Sequence, residues 1–158
     1  MRIQTVNVQI VNFPDTKVAV LEHRGSPHLE HYTVRKLIEW RLENRMHPDQ
    51  HRSYGVHYND PRTTPSENYR VDFCISVERD IPSNPQGVVN KTIPGGRCAV
   101  VRHFGSRENV SAASYIYEVW FPQSGEALRD FPIFFHYVNV GPNVQDHEMI
   151  TDVYLPLQ

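Results

Sequence analysis

A chain of 158 residues, 39% hydrophobic and 22% charged, is long enough to bury one core and has the balance of a soluble globular domain. Its net charge of −2, with no basic run anywhere, excludes a broad electrostatic nucleic-acid surface, so no direct nucleic acid binding is expected. No span approaches about 18 apolar residues and Met1–Thr5 lacks the apolar centre of a signal peptide, which predicts a cytoplasmic protein with no membrane partner.

Residues 3–11 alternate imperfectly through Ile3, Val6, Val8 and Ile10 and predict a strand, broken at Phe13-Pro14-Asp15. Lys17 to Leu21 predicts a second strand that ends at Gly25. Ser26-Pro27 reads as a helix start, because the serine hydroxyl accepts an early amide and proline fits the first turn. Leu29, Tyr32, Lys36-Leu37, Trp40 and Arg41 fall on one stripe of that helix, which should fade near Arg45-Met46. Residues 53–58 and 69–77 predict two more strands. The longer has Val71, Phe73 and Ile75 on one face and Arg70, Asp72, Cys74 and Ser76 on the other. Asp80 to Pro85 is the best linker between halves. Strands near 88–93 and 98–103 follow, then a helix capped by Ser106 and ended by Phe121-Pro122, then strands near 133–140 and 149–157.

The second half repeats the plan of the first. Ala19-Val20-Leu21-Glu22-His23-Arg24-Gly25-Ser26 returns as Ala99-Val100-Val101-Arg102-His103-Phe104-Gly105-Ser106, an offset of 80 residues. The same offset carries Trp40 onto Trp120 and Asp72 onto Asp152; one residue off it, His57-Tyr58 falls on His136-Tyr137. The predicted fold is therefore α+β: a single domain over 1–158 with internal repeats at about 16–78 and 96–157. Each repeat is a β-α-β-β unit after a leading strand. The two are related by a pseudo-twofold axis, with antiparallel sheet, two helices on one face and a central groove.

Few residues declare chemistry. Nine histidines include the repeat-related His23 and His103, but no H-E-x-x-H spacing or carboxylate companion supports a metal site. Cys74 and Cys98 lie in apolar strands without C-x-x-C spacing; two buried free thiols of a reducing compartment are the simplest account, a single bridge the alternative. No nucleophile elbow is present, so no catalytic residue is assigned. Glu22, Asp72 and Asp152 are acids on strands; they are either solvent-facing charges or the acid at the mouth of an aromatic pocket. Trp40, Trp120, Tyr54, Tyr58, Phe135 and Tyr137 are the rings such a pocket would use, with both tryptophans facing the groove from the helices.

Tyr58-Asn59-Asp60-Pro61-x3-Pro65-x-Glu67-x-x-Arg70-x-Asp72, the Gly95-Gly96-x-x-Ala99-Val100 segment and the closing Asp152-Val-Tyr-Leu-Pro156 together resemble the GyrI-like small-molecule-binding domain, from about Val18 to Leu157. This is the fold of DNA gyrase inhibitory protein and of the effector-binding half of Rob- and BmrR-type regulators. The resemblance implies a groove that takes flat, lipophilic, often cationic compounds, with links to gyrase inhibition, toxin resistance and, in some relatives, hydrolysis of strained cyclopropane toxins. Drug-binding members keep a glutamate two residues before the tyrosine of the penultimate strand. Here that tyrosine is Tyr137 and the matching position is Phe135, so cation binding needs another acid, for which Asp152 is the candidate.

The expectation is a stand-alone, non-enzymatic binding protein for a lipophilic or aromatic molecule, with Trp40, Tyr54, Tyr58, Trp120, Phe135, Tyr137 and Asp152 as ligand-binding residues and no metal or other cofactor. The alternatives are a DNA gyrase inhibitor acting by protein contact through loop 59–66, and a hydrolase using Tyr58 or Tyr137 with an acid to activate water.

Overall fold

The structure is a computed structural model and describes residues 7–158. In order, the elements are β1 (Gln9–Phe13), β2 (Thr16–Arg24), α1 (Glu30–Glu43), β3 (Ser53–His57), β4 (Arg70–Ser76), β5 (Val89–Ile93), β6 (Gly96–Phe104), α2 (Ser111–Tyr115), a π-helical turn (Ile116–Trp120), α3 (Phe121–Ser124), β7 (Phe134–Tyr137) and β8 (Ile150–Pro156). The predicted first strand begins partly outside the described residues, and its visible part runs on through Phe13 rather than stopping before it.

All eight strands join one antiparallel sheet in the order β1-β6-β8-β7-β3-β4-β2-β5. Every ladder keeps the 80-residue offset. Asp72 pairs with Glu22 as Asp152 pairs with Arg102, and Gly55 with Phe73 as Phe135 with Val153. The two halves meet at β3 and β7, where Gly55 faces Phe135, so the pseudo-twofold axis passes through that pair. The one-residue slip read for His57-Tyr58 is corrected by this register: the counterpart of His57 is Tyr137, not His136. A slip by one would turn side chains to the opposite face. His57 packs against the Phe135 ring, whereas His136 packs against Tyr54 on the other side of the sheet.

Each leading strand crosses to the other half. β1 adds to β6 of the second repeat and β5 adds to β2 of the first, so both edges of the sheet are exchanged strands. The crossing brings the corner after β1 against the corner after β5. The Gly95 amide donates to Asp15 Oδ1 at 2.6 Å, and a Cβ on Gly95 would lie 2.6 Å from the Asp15 nitrogen. Only glycine fits that approach.

Three clusters fill the interior. α1 packs Leu37 and Trp40 on Ala19, Leu21, Val71 and Ile75; α2 and the π turn pack Ala112 and Ile116 on Ala99, Val101, Val153 and Leu155. The opposite face of the sheet closes over Phe13, Val18, Tyr54, Cys74, Ile93, Cys98 and Phe134 from both halves. Both cysteines are buried and free. On α1 the buried stripe is shifted from the sequence reading: Leu29 and Tyr32 are 50% and 55% exposed, and Val34 packs inward instead. In the second half the helix starts at Ser111 rather than beside Ser106. It also runs past Phe121-Pro122, because Pro122 sits in the first turn of α3, where its missing N–H costs nothing, and Gly125 closes that segment in the left-handed region at φ 73°.

The repeated octapeptide is a turn device. Gly25 and Gly105 take φ 113° and 114°, which favours glycine, and their amides donate to the Tyr69 and Met149 carbonyls. His23 Nε2 and His103 Nε2 donate to the Ser26 and Ser106 carbonyls at 2.9 and 3.2 Å. The other ring nitrogen, His23 Nδ1, is hydrogen-bonded to Thr33 Oγ1 at 2.8 Å. The paired histidines are thus structural pins from strand to helix.

Candidate functional site

A cleft of about 1170 Å³ opens between the N-terminal turn of α1 and α2, above the β3–β7 junction. Strand alternation decides its floor. His57, Phe135 and Tyr137 project toward the helices, and Gly55, on the same face, leaves a gap that the Tyr137 ring fills. Phe135 is 9% exposed and packs against the His57 ring, tilted to it by 39° at 4.3 Å between centroids. Ile133, Val110, Ala113 and Met149 complete the apolar lining.

Polar groups converge on this floor from both halves. Tyr69 Oη donates to Glu30 Oε1 at 2.7 Å, and Tyr137 Oη stands 3.5 Å from His57 Nε2. On the other wall the Arg107 guanidinium lies over the Tyr137 ring, 5.1 Å from its centroid. It donates to Thr151 Oγ1 and to the Asn139 and Ile150 carbonyls. Burial lowers the His57 imidazole to about 4, so the ring is neutral at pH 7. Burial and then the Glu30 carboxylate raise both the Tyr69 and Tyr137 hydroxyls, which therefore remain O–H donors. Burial also disfavours the Arg107 charge, but guanidinium stays protonated.

The expected ligand residues divide sharply by position. Phe135 and Tyr58 border the cleft, and Tyr137 stands beside its floor. Tyr58 turns its hydroxyl away, donating to Asp72 Oδ2 at 2.8 Å with Arg70 over its ring. Trp40 is 2% exposed inside the α1 core, and Trp120 packs into the α2 core, so neither faces the cleft. Tyr54 lies in the cluster on the opposite face, edge-on to Phe13 and Phe134. Asp152 also points there and is held by Arg102 in a two-pronged ion pair at 2.8 and 3.0 Å. Asp72 is not solvent-facing: it is 3% exposed and bonded to Lys91 Nζ at 2.8 Å, and Lys91 also binds Glu22 at 2.7 Å.

Four cleft residues are not among the expected ligand residues: Glu30, His57, Tyr69 and Arg107. The repeat offset held the signal for two of them. Glu30 has Val110 as its counterpart and Arg107 has Pro27, so the halves diverge in charge where they face each other. His57 was legible from strand parity with Phe135 once the register was set.

A duplicated α+β half-barrel with a cleft on its twofold axis and donors along an aromatic floor defines a small-molecule-binding class of domain. Residues 6–158 match the GyrI-like small molecule binding domain, and the chain belongs to that family. It is 44% identical over 155 residues to the "Probable transcriptional regulator YgiV" of Escherichia coli (strain K12), covering 97% of each chain. It is 29% identical over 126 residues to the "DNA gyrase inhibitor" of Erwinia billingiae (strain Eb661), covering 77% of each. Among solved structures, the EcmrR C-terminal domain superposes with a TM-score of 0.76 at 16% identity, over 98% of this chain and 99% of that one, which shows the shared fold. Among the described residues no helix is long and apolar enough to cross a membrane.

Proposed function

We propose that the chain binds a small aromatic molecule in the cleft between α1 and α2, without turning it over. The observation that carries this is the floor: Phe135, on the twofold axis, presents a ring framed by apolar side chains, with the Arg107 guanidinium fixed at its side. Family membership supports the same reading. The tyrosines expected to activate water are poorly suited to that work. The Tyr58 hydroxyl is committed to Asp72 on the other face and is raised to about 12 by burial and that bond, while Tyr137 is held protonated.

Calorimetric titration with a panel of neutral and charged aromatic dyes tests the proposal. Saturable binding of one molecule per chain is expected, weakened about tenfold by Phe135→Ala and unchanged by Trp40→Phe. The absence of saturable binding by every dye would overturn it.

A second reading is inhibition of DNA gyrase through protein contact. It is favoured by the similarity to a named gyrase inhibitor and by the exposed loop 59–66, which Arg62 ties to Asp60 and to Glu118 on the facing π turn. A supercoiling assay showing no effect at high protein excess would remove it.

A further inference from the structure

The charge divergence between the repeats falls inside the cleft, and it runs in opposite directions on the two walls. The first half contributes Glu30 where the second has Val110, and the second half contributes Arg107 where the first has Pro27. Of the other charges of the lining, Arg62 is shared between two carboxylates, those of Asp60 and Glu118. Glu108 and Asp146 stand at the exposed rim. Glu30 and Arg107 differ from these: among the described residues neither has an oppositely charged side chain within ion-pair distance. Each is held by neutral groups only, Glu30 by the Tyr69 hydroxyl and Arg107 by Thr151 Oγ1, the Asn139 side-chain and main-chain oxygens and the Ile150 carbonyl.

Holding half-buried, uncompensated charges of opposite sign on facing walls costs solvation on both sides. A ligand with the complementary pair would recover that cost at both ends. A purely cationic ligand would satisfy Glu30 and meet repulsion from Arg107; a purely anionic one would do the reverse. The aromatic floor between the walls sets the body of the molecule, with Phe135 and His57 offering ring faces.

We infer that the cleft selects an amphoteric aromatic ligand, one that places an anionic group against the Arg107 guanidinium and a protonated amine against the Glu30 carboxylate. This rests on the cleft being the binding site, as proposed above.

The test uses the whole chain and matched probes: para-(aminomethyl)benzoic acid and its longer biphenyl homologue, each in four forms. These are the free zwitterion, the methyl ester, the N-acetyl acid and the N-acetyl methyl ester, titrated calorimetrically at pH 7. The zwitterion of at least one length is expected to bind about tenfold more tightly than either singly blocked form, and more tightly still than the doubly blocked one. Glu30→Gln should abolish the discrimination against N-acetylation and leave that against esterification. Arg107→Gln should do the converse; should Arg107→Gln fail to fold, Arg107→Lys keeps the charge without the two-pronged geometry and should reduce the same discrimination. Equal binding of all four forms, or tighter binding of a singly charged one, would overturn the inference and leave the binding reading standing. Failure of every form, together with failure of the dye panel, would overturn both.

Discussion

Gly55 and Phe135 face each other across the β3–β7 ladder at the twofold axis, a glycine on one half opposite a phenylalanine on the other. Exact symmetry would place two identical side chains there. The asymmetry makes the cleft: Phe135 supplies its floor, and the space left by Gly55 is taken by Tyr137 from the facing strand, whose hydroxyl and ring a Cβ would meet. Gly55→Ala should therefore displace Tyr137, lower stability by about 1–3 kcal/mol and weaken ligand binding together. Urea denaturation and titration of the same preparation check it; a variant with normal stability and affinity would show that Tyr137 is not held by this contact.

The His57 imidazole, lowered to about 4 by burial, is a base whose folded state resists protonation. The unfolded chain binds that proton near pH 6.5, so between about pH 6.5 and 4 the unfolded state takes up more protons and stability falls as pH falls. Above about pH 6.5 the contribution is level. The total loss should be about 3 kcal/mol, and His57→Gln should flatten the profile in that window. Proton NMR of the ring gives the direct check: no titration of His57 above pH 5 is expected.

On the opposite face, Lys91 bridges Asp72 and Glu22. Lys91→Met would strand the buried Asp72 carboxylate with only the Tyr58 hydroxyl, at a cost of about 2–3 kcal/mol. The figure stays below that of a fully buried pair because Lys91 is partly open to water. Adding Asp72→Asn should recover part of the loss, and urea denaturation of the single and double variants measures the recovery. The Lys91 bond holds the Glu22 carboxyl below the usual range. That stabilisation is present above the unfolded glutamate pKa and fades as pH drops through the folded value. Glu22→Gln should reduce the acid sensitivity.

Trp40 is a core residue, so Trp40→Ala should cost about 3–5 kcal/mol while Trp40→Phe, if folded, leaves affinity unchanged. Its fluorescence should be that of a shielded indole and should not respond to cleft ligands. A ligand-dependent change confined to Trp40 would contradict its placement.

Much of the fold was legible because the sequence repeats itself. The 80-residue offset gave the duplicated plan, the axis and most strand positions, and alternation correctly split Val71, Phe73 and Ile75 from Asp72 and Cys74. The site was less legible for a physical reason. Composition does not tell a ligand's ring face from a core ring, and Trp40, Trp120 and Tyr54 belong to three separate cores, because both faces of this sheet carry one. Asp152 is an available acid by sequence alone, yet its cross-strand neighbour Arg102 neutralises it, a pairing visible only once the register is known. His57 was hidden by the one-residue slip, which matched identical letters in preference to matching faces.

The exchange of leading strands means that neither half is closed by its own chain. Pulling the repeats apart would require peeling β1 from β6 and β5 from β2 as well as parting β3 from β7. The two modules are clasped like linked hooks rather than laid side by side, and should melt in one transition. Each hook alone would expose unsatisfied strand edges suited to a second copy of itself. A cleft straddling the line between them is thereby kept from opening along it.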